Sequence, residues 1–201
     1  MEKNRKVAAM AGTVETKKIL FFITTNLVVL YSYGQSLMID PRDGRTYRTV
    51  EIGNKVWMAE NLDYGDRATT RACYEDRDFF CEKFGGLYDW SHAMRACPSG
   101  WHLPTKDEYD ELLISVGDKP KSRYAALVQG GNSHLDLRLG GWLYWNTYLK
   151  FRGIEQVGFY WTATESKRNG QAYRLGLPLI KVAKVFRGGK RDFVSVRCVK
   201  D

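Results

Sequence analysis

The chain has 201 residues, 44% of them hydrophobic and 27% charged, and a formal net charge of +8. That balance excludes an intrinsically disordered chain and provides apolar mass for one domain with a sizeable core. The charge is moderate and no recognition motif accompanies it, so nucleic acid is not an expected partner.

The first 34 residues read differently from the rest. Lys17 and Lys18 precede the apolar run Ile19 to Gly34, which ends in small residues and matches a secretory signal peptide cleaved after Gly34. A membrane anchor is the alternative. It needs roughly 20 apolar residues, and this run is interrupted by Thr24, Thr25 and Asn26. The sixteen residues before Lys17 are long for a leader, and Met10 is an alternative start. No cysteine sits at the cleavage point, so a lipid anchor is not supported, and membrane contact is expected only through the leader before cleavage. Five basic and two acidic residues fall in this segment, which leaves the remainder at +5. Much of that excess lies in Ile180 to Arg191. It reads as a solvated hairpin face, or as a patch for anionic glycans or a charged cell surface.

One domain is expected over 35–201. Asp40-Pro-Arg-Asp-Gly44 is a turn signal, and the missing downstream carboxylates rule out a calcium loop. Val50, Ile52, Val56 and Met58 alternate in two arms around Gly53-Asn54, which predicts a tight β-hairpin. From Asp63 to Phe84 the composition turns polar and irregular, as in a surface loop. Leu87 to Cys97 places Trp90, Ala93, Met94 and Cys97 at helical spacing, with Asp89 or Ser91 as cap and His92 off the stripe. Pro98-Ser-Gly100 breaks that helix, and Trp101 to Leu103 runs extended before Pro104. Thr105 with Glu108 forms a capping box. Tyr109, Leu112, Leu113 and Val116 then share one face of a second helix, with Gly117 as its C-cap. After Lys121 helix signals fade. Gly158 to Ser166, Gln171 to Leu177, Ile180 to Phe186 and Phe193 to Val199 read as strands. Two helices in the first half and a strand-rich second half predict an α+β domain.

Cys73, Cys81, Cys97 and Cys198 are even in number, which in an exported chain argues for two disulfides. Three pairings exist, and spacing alone does not select one. Chain economy favours a local Cys73–Cys81 clip, which leaves Cys97 for Cys198. No spacing fits a zinc site, and His92, His102 and His134 are scattered. No metal or cofactor is expected.

Several segments together closely resemble the Fibrobacter succinogenes major paralogous domain family. They are DGRTYRTVEIGNKVWMAENLDY, CEKFGGLYDWSHAMRACPSGWHLPTKDEYDELL, GFYWTATES and the terminal SVRCVKD, in that order from about Asp40 to Asp201. Lys119 to Leu139, with KSRYAAL, departs most from the pattern. The resemblance implies secreted or surface-exposed bacterial proteins, as in Bacteroidetes-like paralogous sets, and suggests a C-type-lectin-like fold. WHLPTKDEY looks like G-W-R-L-P-T-E-A-E-W of the formylglycine-generating enzymes, and VSVRCVKD like their G-F-R-C ending. In such folds the terminal strands meet, which fits Cys97 with Cys198. Gly140 to Gly153 would occupy the long-loop region where lectin-like folds bind ligands.

Nucleophile elbows, zinc-protease helices and P-loops are all missing from the sequence. Asp107, Asp110 and Glu111 crowd a helix start, where acids favour the dipole, and Glu165 reads as a strand-end turn residue. A binding role rests instead on Trp142, Tyr144, Trp145 and Tyr148, whose rings can stack on sugars or fill a partner's pocket. In a strand Trp142 and Tyr144 share one face and Trp145 takes the other, so part of the cluster is expected in the core. The expectation is a secreted or cell-surface, non-catalytic module for an extracellular glycan or an envelope protein. The alternatives are an extracellular hydrolase or oxidase, or a subunit of an envelope assembly.

Overall fold

A computed structural model of the chain describes residues 36–67, 69–145 and 150–201. The expected signal peptide lies outside the described residues. Among the described residues the architecture is α+β, with two curled sheets, four α-helices and two disulfides.

The first sheet opens with Ser36–Ile39 (β1), Thr46–Ile52 (β2) and Lys55–Met58 (β3), an antiparallel meander. The Asp40–Gly44 turn closes β1 onto β2, with the Gly44 amide donating to the Asp40 carbonyl at 2.8 Å. Ile52 pairs with Lys55, so Gly53-Asn54 is a two-residue loop, and Gly53 takes the positive φ (65°) such loops demand. Val50 lies opposite Trp57, on the face carrying Ile52. Thr49 lies opposite Met58, on the other face. Both faces are covered, since Trp57 and Met58 are each fully buried, in different core clusters.

Residues 63–84 are not the surface loop their composition suggests. A 3-10 turn at Tyr74–Asp76 leads into Asp78–Phe84 (α1), and Cys73, Tyr74, Cys81 and Phe84 are buried. The Cys73–Cys81 disulfide draws its two sulfurs and the rings beside them inward. The helix expected over Leu87 to Cys97 is also shorter. Leu87–Tyr88 is a strand (β4), and Asp89 starts a single turn at Trp90–Ala93 (α2) by accepting from the His92 amide. Met94 remains 43% exposed, outside any buried stripe.

Trp101–His102 (β5) runs extended, and the helix after it, Lys106–Val116 (α3), carries the full capping box at Thr105 and Glu108. Tyr109, Leu112 and Leu113 are buried along one face. Gly117 ends the helix with extended backbone rather than a left-handed cap. A side chain there would crowd Ser122 Oγ at 2.9 Å, at the start of Pro120–Leu127 (α4). That fourth helix is one the sequence reading missed. Replacing Thr105 with alanine removes the acceptor for the Glu108 amide and the hydroxyl that donates to the Glu108 carboxylate, while the residue-105 amide still donates to that carboxylate. Urea unfolding of Thr105→Ala is expected to show a loss of about 1 kcal/mol.

Glu108 serves more than the cap. Its carboxylate takes the Thr105 amide at 2.8 Å, Lys55 at 3.0 Å and His102 Nε2 at 3.0 Å, while His102 Nδ1 pairs with Asp201. Burial opposes ionisation of Glu108, but these hydrogen bonds outweigh it and hold the carboxyl at about 2. Burial likewise opposes the imidazolium, yet the bonds to Asp201 and Glu108 raise His102 above its ordinary 6.5. The Glu108 contribution is full above about 4.5 and lost as pH falls toward 2. The His102 contribution is full below 6.5 and lost as pH rises through the raised value. The gap in melting temperature between the parent and His102→Ala should therefore be widest between pH 4.5 and 6.5 and narrow on both sides.

The remaining strands are Gly140–Tyr144 (β6), Lys150–Ile154 (β7), Gly158–Glu165 (β8), Gln171–Leu177 (β9), Lys184–Gly189 (β10), Val194–Ser195 (β11) and Val199–Lys200 (β12). The second sheet runs β10-β9-β8-β11-β4, with the β6–β7 hairpin joined to β8. In β8 the rings alternate between cores: Phe159 and Trp161 enter one cluster and Tyr160 the other. Two expected strands are corrected. Leu179 and Ile180 lie in a turn closed by the Lys181 amide donating to the Pro178 carbonyl at 2.9 Å, and residues 181–183 precede β10 outside any strand. Phe193 to Val199 is not one strand, since β11 belongs to the second sheet while β12 inserts between β3 and β5 in the first. Cys198 lies in this crossing and is bonded to Cys97. Among the described residues no helix is long and apolar enough to cross a membrane.

Candidate binding cleft

The β6–β7 hairpin carries the aromatic cluster singled out in the sequence, and the structure divides it. Trp142 and Tyr144 lie on one face, rings 5.2 Å apart, and Trp142 also meets Phe159 edge-on at 5.3 Å. Trp145 points elsewhere and is 45% exposed. Tyr148 falls outside the described residues.

Trp142 is held by a buried cation. The Arg174 guanidinium sits 5.0 Å from the Trp142 ring, 4.7 Å from Phe159, 5.3 Å from Phe186 and 5.8 Å from Trp161. It pairs with Asp192 at 3.1 Å, and both residues are buried. Burial pushes the Asp192 carboxyl up and the guanidinium down, each toward its neutral form. A Cβ on Gly188 would lie 2.5 Å from Arg174 Cζ, so β10 needs glycine where it crosses the cation. This box is therefore filled by the protein itself. Its far carboxylate oxygen, Asp192 Oδ1, accepts the Trp145 amide at 3.2 Å, so the buried pair positions the backbone of the exposed tryptophan.

Trp145 stands at the mouth of an open cleft of about 510 Å³, lined with Trp90, Lys190, Arg191, Phe193, Asp89 and Ser91. Trp90 is anchored by its indole N–H to the Thr162 carbonyl at 2.9 Å and by its amide to the Lys190 carbonyl at 3.0 Å. Lys190 Nζ lies 4.1 Å over the Trp90 ring and also pairs with Glu165. The Arg191 guanidinium lies 5.7 Å from the Trp145 ring. The cleft thus offers indole faces and two cations. Asp89, the one acid in its lining, is engaged: the same oxygen accepts from Ser91 Oγ at 3.0 Å, from the His92 amide at 2.9 Å and from His92 Nδ1. Ser91 and His92 both turn to Asp89, so neither activates the other as nucleophile and base.

The other polar residues weighed for chemistry lie apart from the cleft or are spent. Asp110 pairs with Lys106, and Glu165 with Lys190. Among the described residues no three His, Cys, Asp or Glu side chains converge to hold a metal. Trp90 packs partly buried against the core and also lines the cleft, and that second role, like the roles of Arg174 and Asp192, had no signal in the sequence. A cue existed for Lys190 and Arg191 in the basic run ending at Arg191. Nothing in the local pattern connects that run with Trp145.

The Fibrobacter succinogenes major domain model matches residues 50–200, from the middle of β2 to the end of the last strand. No curated protein and no solved structure matches the chain.

Proposed function

The chain belongs to the Fibrobacter succinogenes major domain family, and on that premise we propose that it is an exported, non-catalytic binding module of C-type-lectin-like architecture whose Trp145 cleft holds a glycan. The observation that carries this reading is an indole left 45% exposed beside a second anchored tryptophan, with Lys190 and Arg191 on the same wall. Sugar rings present C–H faces to indoles and hydroxyls or carboxylates to cations, so one ligand class satisfies both features. Export is supported by the two disulfides, which belong to an oxidising compartment. Lectin-like architecture is supported by the last strand, β12, which lies beside β3 in the sheet that opens the domain and is locked by Cys198.

A glycan array probed with the full chain should yield binders whose affinity falls about 30-fold in Trp145→Ala, as for an interface anchor worth about 2 kcal/mol. Asp89→Asn and Glu165→Gln should leave binding intact. Parent-like binding by Trp145→Ala would remove the cleft from consideration. Turnover of a bound glycan, abolished by a single polar substitution, would identify an extracellular hydrolase or oxidase instead. Co-purification with envelope proteins would identify an assembly subunit.

A further inference from the structure

On a different part of the surface, α4 and the turn before β10 enclose an open groove of about 590 Å³. Its walls are Tyr124, Val128, Leu179 and Ile180, with Lys121 and Lys181 at the rim and no acid in the lining. Leu179 and Ile180 stand 65% and 68% exposed at adjacent positions, an arrangement a soluble surface does not need for stability. The turn is held in place: Lys181 donates its amide to the Pro178 carbonyl at 2.9 Å, and the Ala183 amide to the Pro120 carbonyl at 3.0 Å, which ties the turn to the first residue of α4.

Charge identifies the occupant. Residues 119–132 and 176–184, the two segments that meet here, carry Lys119, Lys121, Arg123, Lys181 and Lys184 and no acid. None of the four lysines forms an ion pair among the described residues. A tip of two aliphatic side chains ringed by uncompensated lysines matches an interfacial membrane surface, where apolar groups enter the headgroup boundary and cations meet anionic lipid. We infer that this face docks on a bilayer rich in anionic phospholipid, with Leu179 and Ile180 inserted and Lys121 and Lys181 on the headgroups. This goes beyond membrane contact through the leader alone. It is independent of the Trp145 cleft.

The test is partitioning of the full chain onto phosphatidylcholine vesicles with and without phosphatidylglycerol. The apolar run at Ile19 to Gly34 is common to every variant, so differences between variants isolate the groove. Lys121→Ala with Lys181→Ala should weaken phosphatidylglycerol-dependent partitioning about 30-fold, from two lysines near an anionic surface. Leu179→Ser with Ile180→Ser should remove the part of the partitioning that survives high salt. Amide exchange should slow on vesicles at 178–184 and 120–131. All four residues are exposed, and unchanged thermal unfolding verifies that the variants remain folded. Equal partitioning of parent and variants, indifference to phosphatidylglycerol, or slowed exchange confined to other segments would overturn the inference. Indifference to phosphatidylglycerol is also the result expected if the groove held an acidic protein surface rather than lipid. Loss of glycan binding in Trp145→Ala bears only on the cleft and leaves this test untouched.

Discussion

Substituting alanine for both Cys97 and Cys198 is expected to lower the unfolding free energy by about 4–5 kcal/mol. The disulfide joins residues 101 positions apart, with Cα atoms 5.8 Å apart. Its absence releases the unfolded chain from a very long loop closure. The native state loses as well. Cys198 is fully buried in the same cluster as Met58, Trp161 and Val196, and it sits where the C-terminal segment leaves one sheet for the other. Val199 pairs with both Trp57 and His102, so β12 bridges strands from the beginning and middle of the chain. Opening Cys73–Cys81, a separation of 8 residues, costs less, about 2.5 kcal/mol by the same loop relation. Urea unfolding of the two double variants separates these effects. Equal losses would mean that loop length does not govern what each disulfide contributes. An additional change in denaturant slope for the Cys97–Cys198 variant would show that the unfolded chain expands once the long loop is opened.

Local signals in this sequence were faithful. The Gly53-Asn54 loop, the Thr105 capping box, β8 and β9 each depend on residues within a few positions of one another, and the structure places them as read. The family match, seen in the motifs, agrees with the residues the family model covers. What failed was non-local. Residues 78–84 form α1 although the stretch reads as polar loop, because burial of Cys81 and Phe84 against distant elements supplies what propensity does not. α4 shows little amphipathic pattern, and its burial rests on Ala126 and Leu127. Period-two alternation correctly separated Trp145 from Trp142 and Tyr144. It could not tell which face was closed, because closure comes from Arg174 on another strand. The split of Phe193 to Val199 was invisible for a similar reason: alternation continues smoothly while the segment exchanges sheets.

The same segment supplies the second large effect. Arg197 is fully buried and meets no carboxylate among the described residues. Nη1 donates to the carbonyls of Met58 at 2.8 Å and Leu135 at 2.7 Å, and Nη2 donates to Asn61 Oδ1 at 2.6 Å and the Asp136 carbonyl at 3.2 Å. Asn61 extends the network, its Nδ2 donating to the Phe84 carbonyl at 2.7 Å, at the end of α1. One guanidinium thus joins the end of β3, the loop at 135–136 and the segment that crosses between the sheets. Burial pushes its pKa down, against the favourable influence of the Tyr160 and Tyr109 rings. In Arg197→Met the protein recovers the cost of burying a charge, several kcal/mol. It forfeits four hydrogen bonds from a cation, each worth about 1.5–3 kcal/mol, and leaves acceptors buried without donors. The second sum is larger, and a net loss of about 3 kcal/mol is expected in urea unfolding. Arg197→Lys keeps the charge but cannot span four acceptors in one plane, so it should recover only part of the loss. If Arg197→Met were as stable as the parent, the arginine would be a tolerated burden rather than a joint.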